Sequence, residues 1–303
     1  MFIKKPESIS RRNFISHVSR GVTAGILSNT LISASTQAYL CPKKPAPKFG
    51  LVTYLWGRDW DLPTLLRNCE TTGVLGVELR TTHDHGVEPS LSGSDRELVR
   101  KMFEDSPVEL LGPGSNENFD SPDSKTLATS IKATQDFLKL SADVGGSGVK
   151  VKPNSFHKDV PREKTLEQIG LTLNKLGKFA SDLGQEIRLE VHGQCAPPPY
   201  IAKIMEIADH PSVRVCWNCN QEDLEGAGME AHFKLLRSWF GDTVHVRELD
   251  ETNYPYREFM KLIVDSSYTG WVLLEARGNP ANRVQALMEQ RRLFEEMVSD
   301  ALV

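Results

Sequence analysis

The stretch Gly148-Val149-Lys150-Val151-Lys152 decides the fold. Successive residues of a β-strand face opposite sides, so the valines face one way and the lysines the other. A strand in a parallel sheet is normally apolar on both faces, because helices cover the outside of the sheet. A strand that sends charges to one face therefore indicates a closed barrel, in which that face lines the interior.

The same alternation of apolar and charged residues recurs in three other segments. Those segments are residues 77–80, 187–192 and 244–247. Four strands thus send charged or titratable side chains to one inner face. An interior ion-pair network can explain some of these charges, but a whole ring of them at strand ends is more typical of a ligand site.

Outward from these segments, apolar runs alternate with helical patterns. The candidate strands are residues 49–56, 73–80, 108–112, 147–152, 187–192, 213–218, 243–249 and 270–276. The candidate helices are residues 62–72, 95–103, 124–144, 166–183, 200–208, 229–240, 256–265 and 282–297. A strand followed by a helix eight times predicts an α/β protein with a (β/α)8 TIM barrel. An open doubly wound sheet is the alternative, which the absence of a Gly-rich phosphate loop after the first strand weakens.

The N-terminal segment has the features of an export signal. Ser10-Arg11-Arg12-Asn13-Phe14-Ile15 is a twin-arginine pattern, a weakly apolar run follows, and Thr36-Gln37-Ala38 offers small residues for cleavage. The apolar run is too short and too polar for a stable membrane span. We predict a Tat-type signal peptide over residues 1–38, a linker over 39–48 and the barrel over 49–303, in an exported, periplasmic protein. A disordered basic tail is the alternative.

Composition and cysteine content narrow the classes of partner. The formal net charge is -4 and no long basic stretch occurs, so nucleic acid is not an expected partner. The number and spacing of the cysteines do not indicate a disulfide framework. Cys216-Trp217-Asn218-Cys219 resembles a redox or zinc CxxC, but a strand there would turn the two thiols to opposite faces. A homo-oligomer remains open.

Four polar residues stand at the ends of the last four candidate strands. They are Glu190, Asn218, His245 and Glu275. Two carboxylates, an imidazole and an amide oxygen converging at one barrel mouth can hold a divalent cation. Each residue alone is a weak signal, because a single histidine in a strand is more often a hydrogen-bonded core residue.

The segments around these residues resemble, in order, motifs of the xylose isomerase-like sugar isomerase/epimerase family, over about residues 48–303. The segments are Leu189-Glu190-Val191-His192-Gly193, Val215-Cys216-Trp217-Asn218, Val244-His245-Val246-Arg247-Glu248 and Gly270-Trp271-Val272-Leu273-Leu274-Glu275. The resemblance implies that Glu190, Asn218, His245 and Glu275 hold a divalent metal (Mn, Mg, Co or Zn). It also implies that Glu190 and Glu275 move protons. The chain departs from the family at Asn218, where the family usually has Asp.

A second group of residues supplies candidates for substrate binding. Trp56 can stack on the apolar face of a sugar ring. His83 and His85 can bind hydroxyl groups or a second metal, with an exposed polar loop as the alternative. Lys150 and Lys152 can pair with the carboxylates of Glu78 and Glu190, or they can bind a carboxylate or phosphate of the substrate. The full set is Trp56, Glu78, Arg80, His83, His85, Lys150, Lys152, His192 and Arg247.

These features predict an enzyme that acts on a small carbohydrate. The expected reaction is metal-assisted isomerisation or epimerisation of a sugar or sugar-derived ketone through an enediolate, with Glu190 and Glu275 transferring the proton. Two alternatives stay open. One is a lyase or hydrolase of modified glycosides on the same barrel. The other is a non-catalytic carbohydrate-binding barrel, which Asn218 favours.

Overall fold

The computed structural model describes residues 46–303 of the chain. The expected signal peptide lies outside the described residues, as does most of the expected linker, so export to the periplasm stays a prediction. Within residues 46–303, none of the helices combines the length and the apolar character that a membrane crossing requires.

Eight parallel strands form one sheet. They are β1 (Lys48–Val52), β2 (Gly76–Arg80), β3 (Glu109–Asn118), β4 (Gly148–Lys152), β5 (Glu186–Glu190), β6 (Val213–Cys216), β7 (Thr243–Val246) and β8 (Trp271–Leu274). The strand order is β6-β5-β4-β3-β2-β1-β8-β7. The two end strands, β6 and β7, meet at a seam, where the His245 N–H donates to the Trp217 carbonyl at 2.7 Å and the Gly241 N–H donates to the Val215 carbonyl at 3.0 Å. The prediction of a (β/α)8 barrel is confirmed.

A helix follows each strand and covers the outside of the barrel. The helices are α1 (Leu62–Thr72), α2 (Gly93–Glu104), α3 (Ser124–Val144), α4 (Arg162–Asp182), α5 (Pro198–Ala208), α6 (Met229–Leu236), α7 (Tyr256–Asp265) and α8 (Arg283–Leu302). Side-chain caps begin several of them: Asp61 accepts from the Thr64 N–H, and Asp123 accepts from the Thr126 N–H. The outward valines of the strands lie in the core between barrel and helices.

Two of the strand boundaries that differ from the sequence prediction bear on the site. β1 ends at Val52, so Trp56 lies in the loop after the strand and not within it. β3 is longer than predicted, because it continues through Pro113 and Gly114 to Asn118. Gly112 makes this continuation possible: it has φ 129°, and a Cβ there would lie 1.9 Å from the carbonyl oxygen of Gly148. The extension carries Asn116 to the mouth of the barrel.

The barrel interior changes from apolar to polar along its axis. Val52, Leu111, Trp271 and Leu273 form a separate apolar cluster. Arg188 is also fully buried; its guanidinium donates to Glu186, to the Leu111 carbonyl and to Ser147. The carboxyl ends of the strands carry the remaining charged side chains. The interior therefore has a closed base and a polar mouth, as TIM-barrel enzymes do.

Four cysteines lie within residues 46–303. Cys69, Cys195, Cys216 and Cys219 are buried free thiols. Burial raises the pKa of the Cys69 thiol to about 12. Thiols of this kind are packing groups and not reactive ones.

Candidate functional site

Three side chains converge at the polar mouth of the barrel. Glu190 ends β5, His245 lies in β7 and Glu275 follows β8. All three are buried, and each offers a ligand atom within 4.8 Å of those of the other two. The sequence-predicted set therefore comes together, since parallel strands of a barrel bring their carboxyl ends to one face.

Glu78 fixes the orientation of the His245 ring. His245 Nε2 lies 3.3 Å from Glu78 Oε2, while Nδ1 lies 3.9 Å from Glu190 Oε1 and has no hydrogen-bond partner. When Nε2 donates its proton to Glu78, the lone pair of Nδ1 faces Glu190. A carboxylate that holds a histidine in this way is the usual support of a metal-binding imidazole.

Asn218 lies beside Glu190 just beyond the end of β6. Its Nδ2 donates to Glu190 Oε1 at 2.9 Å. Its Oδ1 is buried and has no hydrogen-bond partner among the described residues. A buried carbonyl oxygen without a partner is costly, so this atom is suited to a ligand that supplies positive charge or a donor.

Two cations neutralise the carboxylates of the mouth. Lys150 Nζ lies 2.8 Å from Glu190 Oε2, and Arg247 pairs with Glu275. Burial acts to raise the pKa of Glu190, but the Lys150 ammonium beside it acts in the opposite direction, and the pKa of that carboxyl lies well below its usual range. Glu190 is therefore ionised at neutral pH.

The donor set fits a divalent cation. His245 Nδ1 and Asn218 Oδ1 are buried without hydrogen-bond partners in the described part of the chain. His245 lies next to the carboxylates of Glu190 and Glu275, and Asn218 lies next to that of Glu190. Lys150 and Arg247 reduce the negative charge that the site offers. Because hard cations depend on anionic oxygen, we expect weaker binding here than at a site with a third carboxylate and no counter-ions.

A second polar cluster lies on β2, β3 and β4. Arg80 Nη2 and Lys152 Nζ both donate to Asn116 Oδ1, at 3.1 and 3.2 Å. Arg80 and Lys152 are predicted substrate-binding residues, and Asn116 is one that the sequence analysis missed. The signal for it is the polar run 115–118, which lies beyond the predicted end of the strand at residue 112, because Pro and Gly, as at 113 and 114, are unusual within a strand.

The two histidines of the loop after β2 have different surroundings. Both ring nitrogens of His85 are bonded to backbone: Nε2 to the Arg80 carbonyl at 2.9 Å and Nδ1 to the Val87 N–H at 3.0 Å. His83 Nδ1 lies 3.1 Å from the Thr53 hydroxyl. Burial, with a smaller contribution from His85, lowers the pKa of His83 to about 4, so this ring is neutral at pH 7. His85 supports the loop, while His83 retains a nitrogen for a ligand.

Trp56 and Glu248 hold the loop after β8. The Trp56 indole N–H donates to the Gly278 carbonyl at 2.9 Å, and Glu248 accepts from the Arg277 N–H at 2.9 Å. Trp56 is 3% exposed, which leaves little of its ring for a sugar. Glu248 was not among the site residues predicted from the sequence, although Glu248 is the last residue of the motif 244–248. His192, the remaining candidate, is half-buried, and its Nδ1 has no hydrogen-bond partner among residues 46–303.

Comparison with known proteins places these features in a family context. A family model described as a xylose isomerase-like TIM barrel matches residues 66–297. No curated protein matches the sequence.

Solved structures share the fold at low sequence identity. An L-ribulose 3-epimerase is 14% identical with a TM-score of 0.73, over 84% of this chain and 95% of that one. The apo 3-keto-D-glucoside 4-epimerase of E. coli is 13% identical with a TM-score of 0.71, over 82% and 99%. A xylose isomerase-like TIM barrel protein from Mycobacterium smegmatis, in complex with magnesium, is 14% identical with a TM-score of 0.64, over 84% and 98%.

Proposed function

We propose that this chain, which belongs to the xylose isomerase-like TIM barrel family, is a metal-assisted isomerase or epimerase of a sugar or sugar-derived ketone. The observation that carries the proposal is the convergence of Glu190, His245 and Glu275 within 4.8 Å at a buried, polar barrel mouth. The similar structures that are sugar epimerases support the choice of substrate class.

Four residues would hold the metal: Glu190, Asn218, His245 and Glu275. Asn218 would bind through its Oδ1 and His245 through its Nδ1, since both atoms are buried without a hydrogen-bond partner among the described residues. When bound, a divalent cation polarises a carbonyl and stabilises the enediolate that forms on loss of the neighbouring proton.

The residues of the chain itself move the proton. Glu190 and Glu275 come from strands β5 and β8, on different sides of the mouth, so one can take a proton from carbon and the other can return it. Lys150 and Arg247 orient these carboxylates. Burial of both carboxylates excludes water, which strengthens each interaction with the charge that develops.

Exchange of hydrogen with solvent tests this proposal without knowledge of the product. The protein is incubated with ketohexoses, keto-glycosides, sugar phosphates and sugar acids in D₂O with Mn²⁺, and loss of the proton signal next to the carbonyl is followed by NMR. We expect exchange with at least one member of the panel, and none with excess chelator. Absence of exchange across the panel with Mn²⁺ bound would contradict the proposal.

Asn218→Asp is expected to tighten divalent binding, by about tenfold or more, because a carboxylate replaces a neutral amide oxygen. Calorimetric titration with Mn²⁺ measures the change. Asn220→Asp is the matched control: Asn220 follows the same strand but bonds the Val191 carbonyl, and its substitution should leave Mn²⁺ affinity nearly unchanged. Equal affinity of wild type and Asn218→Asp would argue against a ligand role for position 218.

The second candidate function is a metal-free carbohydrate-binding barrel. It is favoured by the contact from Asn218 Nδ2 to Glu190 and by the Lys150 ammonium on the same carboxylate. An ammonium and an amide N–H can together satisfy Glu190 without a metal. This candidate function predicts that a chelator does not change the affinity for sugar and that the bound sugar does not exchange hydrogen with D₂O.

A further inference from the structure

The cations on the inner face of the barrel fall into two groups. Lys150, Arg188 and Arg247 each form an ion pair with a carboxylate. Arg80 and Lys152 form none with any residue in the described part of the chain, 46–303. Their shared partner is Asn116 Oδ1, a neutral oxygen. Two positive charges at one end of the mouth are thus left without a negative one.

Arg80 is withdrawn from water, and Lys152 is partly so. Arg80 is 9% exposed, and its Nε is buried with no hydrogen-bond partner among residues 46–303. Burial, followed by repulsion from Lys150, lowers the pKa of Lys152 to about 8. A buried cation without an anionic partner is unfavourable, so the arrangement is suited to an anion that arrives with a ligand.

The backbone around the pair leaves room for their side chains. Arg80, Asn116 and Lys152 lie on the adjacent strands β2, β3 and β4 near their carboxyl ends. A Cβ at Gly114, between them, would lie 3.1 Å from Arg80 Cδ and 2.5 Å from Glu78 Oε1. The absence of a side chain there lets Arg80 enter the mouth. A guanidinium and an ammonium on one oxygen atom form a fork that suits an oxyanion.

We propose that the sugar bound in this mouth carries an oxyanion group, and that Arg80 and Lys152 bind it. The inference rests on the proposed function for the position of the sugar, whose reacting carbons would lie toward Glu190 and Glu275. Lys150 connects the two regions, because it lies two residues before Lys152 on β4 and bonds Glu190. The substrate class is then a sugar acid or a sugar phosphate and not a neutral hexose.

Binding measurements test this class directly. D-Glucuronate, D-glucose 6-phosphate and D-glucose are titrated separately into the Mn²⁺-loaded protein by calorimetry. We expect at least one of the two oxyanion sugars to bind more tightly than D-glucose, and the comparison between them identifies a carboxylate or a phosphate as the preferred group. Lys152→Met should weaken that ligand about 10- to 100-fold, the range of a hydrogen bond to a charged group, and leave D-glucose unchanged.

Two controls separate a local effect from a global one. Lys158→Met changes the net charge equally on the exposed loop after β4 and should not alter any of the three affinities. Arg80→Lys, which keeps the charge but removes the fork, should weaken the oxyanion sugar less than Lys152→Met does. An unchanged melting temperature shows that each variant folds.

The outcomes distinguish this inference from the proposed function. Equal binding of all three sugars, or equal weakening of all three by Lys152→Met, overturns the oxyanion site even if solvent exchange occurs with a neutral ketose. Selective binding of an oxyanion sugar supports the site even if no exchange occurs, in which case the isomerase proposal alone fails.

Discussion

Glu275→Gln is expected to reduce solvent exchange, and any turnover, by about 10²- to 10⁴-fold. The substitution keeps the shape of the side chain but removes the proposed base, one of the three converging candidate metal ligands and the partner of Arg247. Glu190→Gln should have a similar effect, because it removes the carboxylate bound by Lys150 and Asn218. Rates of exchange in D₂O at saturating Mn²⁺ measure both losses.

Glu251→Gln provides the matched control for these variants. Glu251 is exposed on the same face of the barrel, in the loop after β7, so its substitution makes the same change in charge without touching the converging residues. It should leave exchange within about twofold, as expected of a surface change. Near-normal exchange in Glu275→Gln would show that Glu275 is structural and that the proton-transfer scheme is wrong.

Arg188→Met is expected to destabilise the fold by about 3 kcal/mol. The guanidinium is fully buried and joins Glu186, the Leu111 carbonyl and Ser147. Methionine fills similar space but removes three buried donor contacts and the positive charge beside Glu186, and the loss of one partner from a buried pair costs about 3–5 kcal/mol. Because a quarter of the Glu186 side chain is exposed to solvent, we expect a cost at the lower end of this range. Urea denaturation measures the change.

Arg214→Met is the control for Arg188→Met. Arg214 approaches the same carboxylate, Glu186, at 3.9 Å but is about one-third exposed, so its loss should cost under about 1 kcal/mol. Equal effects of the two substitutions would mean that the buried hydrogen bonds of Arg188 contribute nothing beyond charge.

The fold could be predicted because one local rule is repeated. Valine alternating with a charged residue, as in Val149 and Lys150, gives both the strand and the face that lines the interior. The ring of Glu190, His245 and Glu275 then follows from topology, since parallel strands deliver their carboxyl ends to one mouth. Tertiary contacts were not required for either step.

The remaining features depend on contacts between distant strands. Pro113 and Gly114 predict the end of a strand, yet β3 continues because its neighbours β2 and β4 pair with it on both sides. The sequence also did not predict which carboxylate would form an ion pair with each cation. Lys150 pairs with Glu190 forty residues away, whereas Lys152, two residues later, bonds only Asn116 among residues 46–303.

The candidate metal-binding residues lie on both sides of the seam between β6 and β7. Glu190 and Asn218 lie on the β6 side, and His245 and Glu275 lie on the β7 side. Any molecule that contacts all four groups spans this seam and adds a further link between β6 and β7, which two backbone hydrogen bonds already join. Ligand binding at the mouth and the pairing of β6 with β7 are then thermodynamically linked. A ligand that contacts both sides of the seam therefore also stabilises the closed barrel.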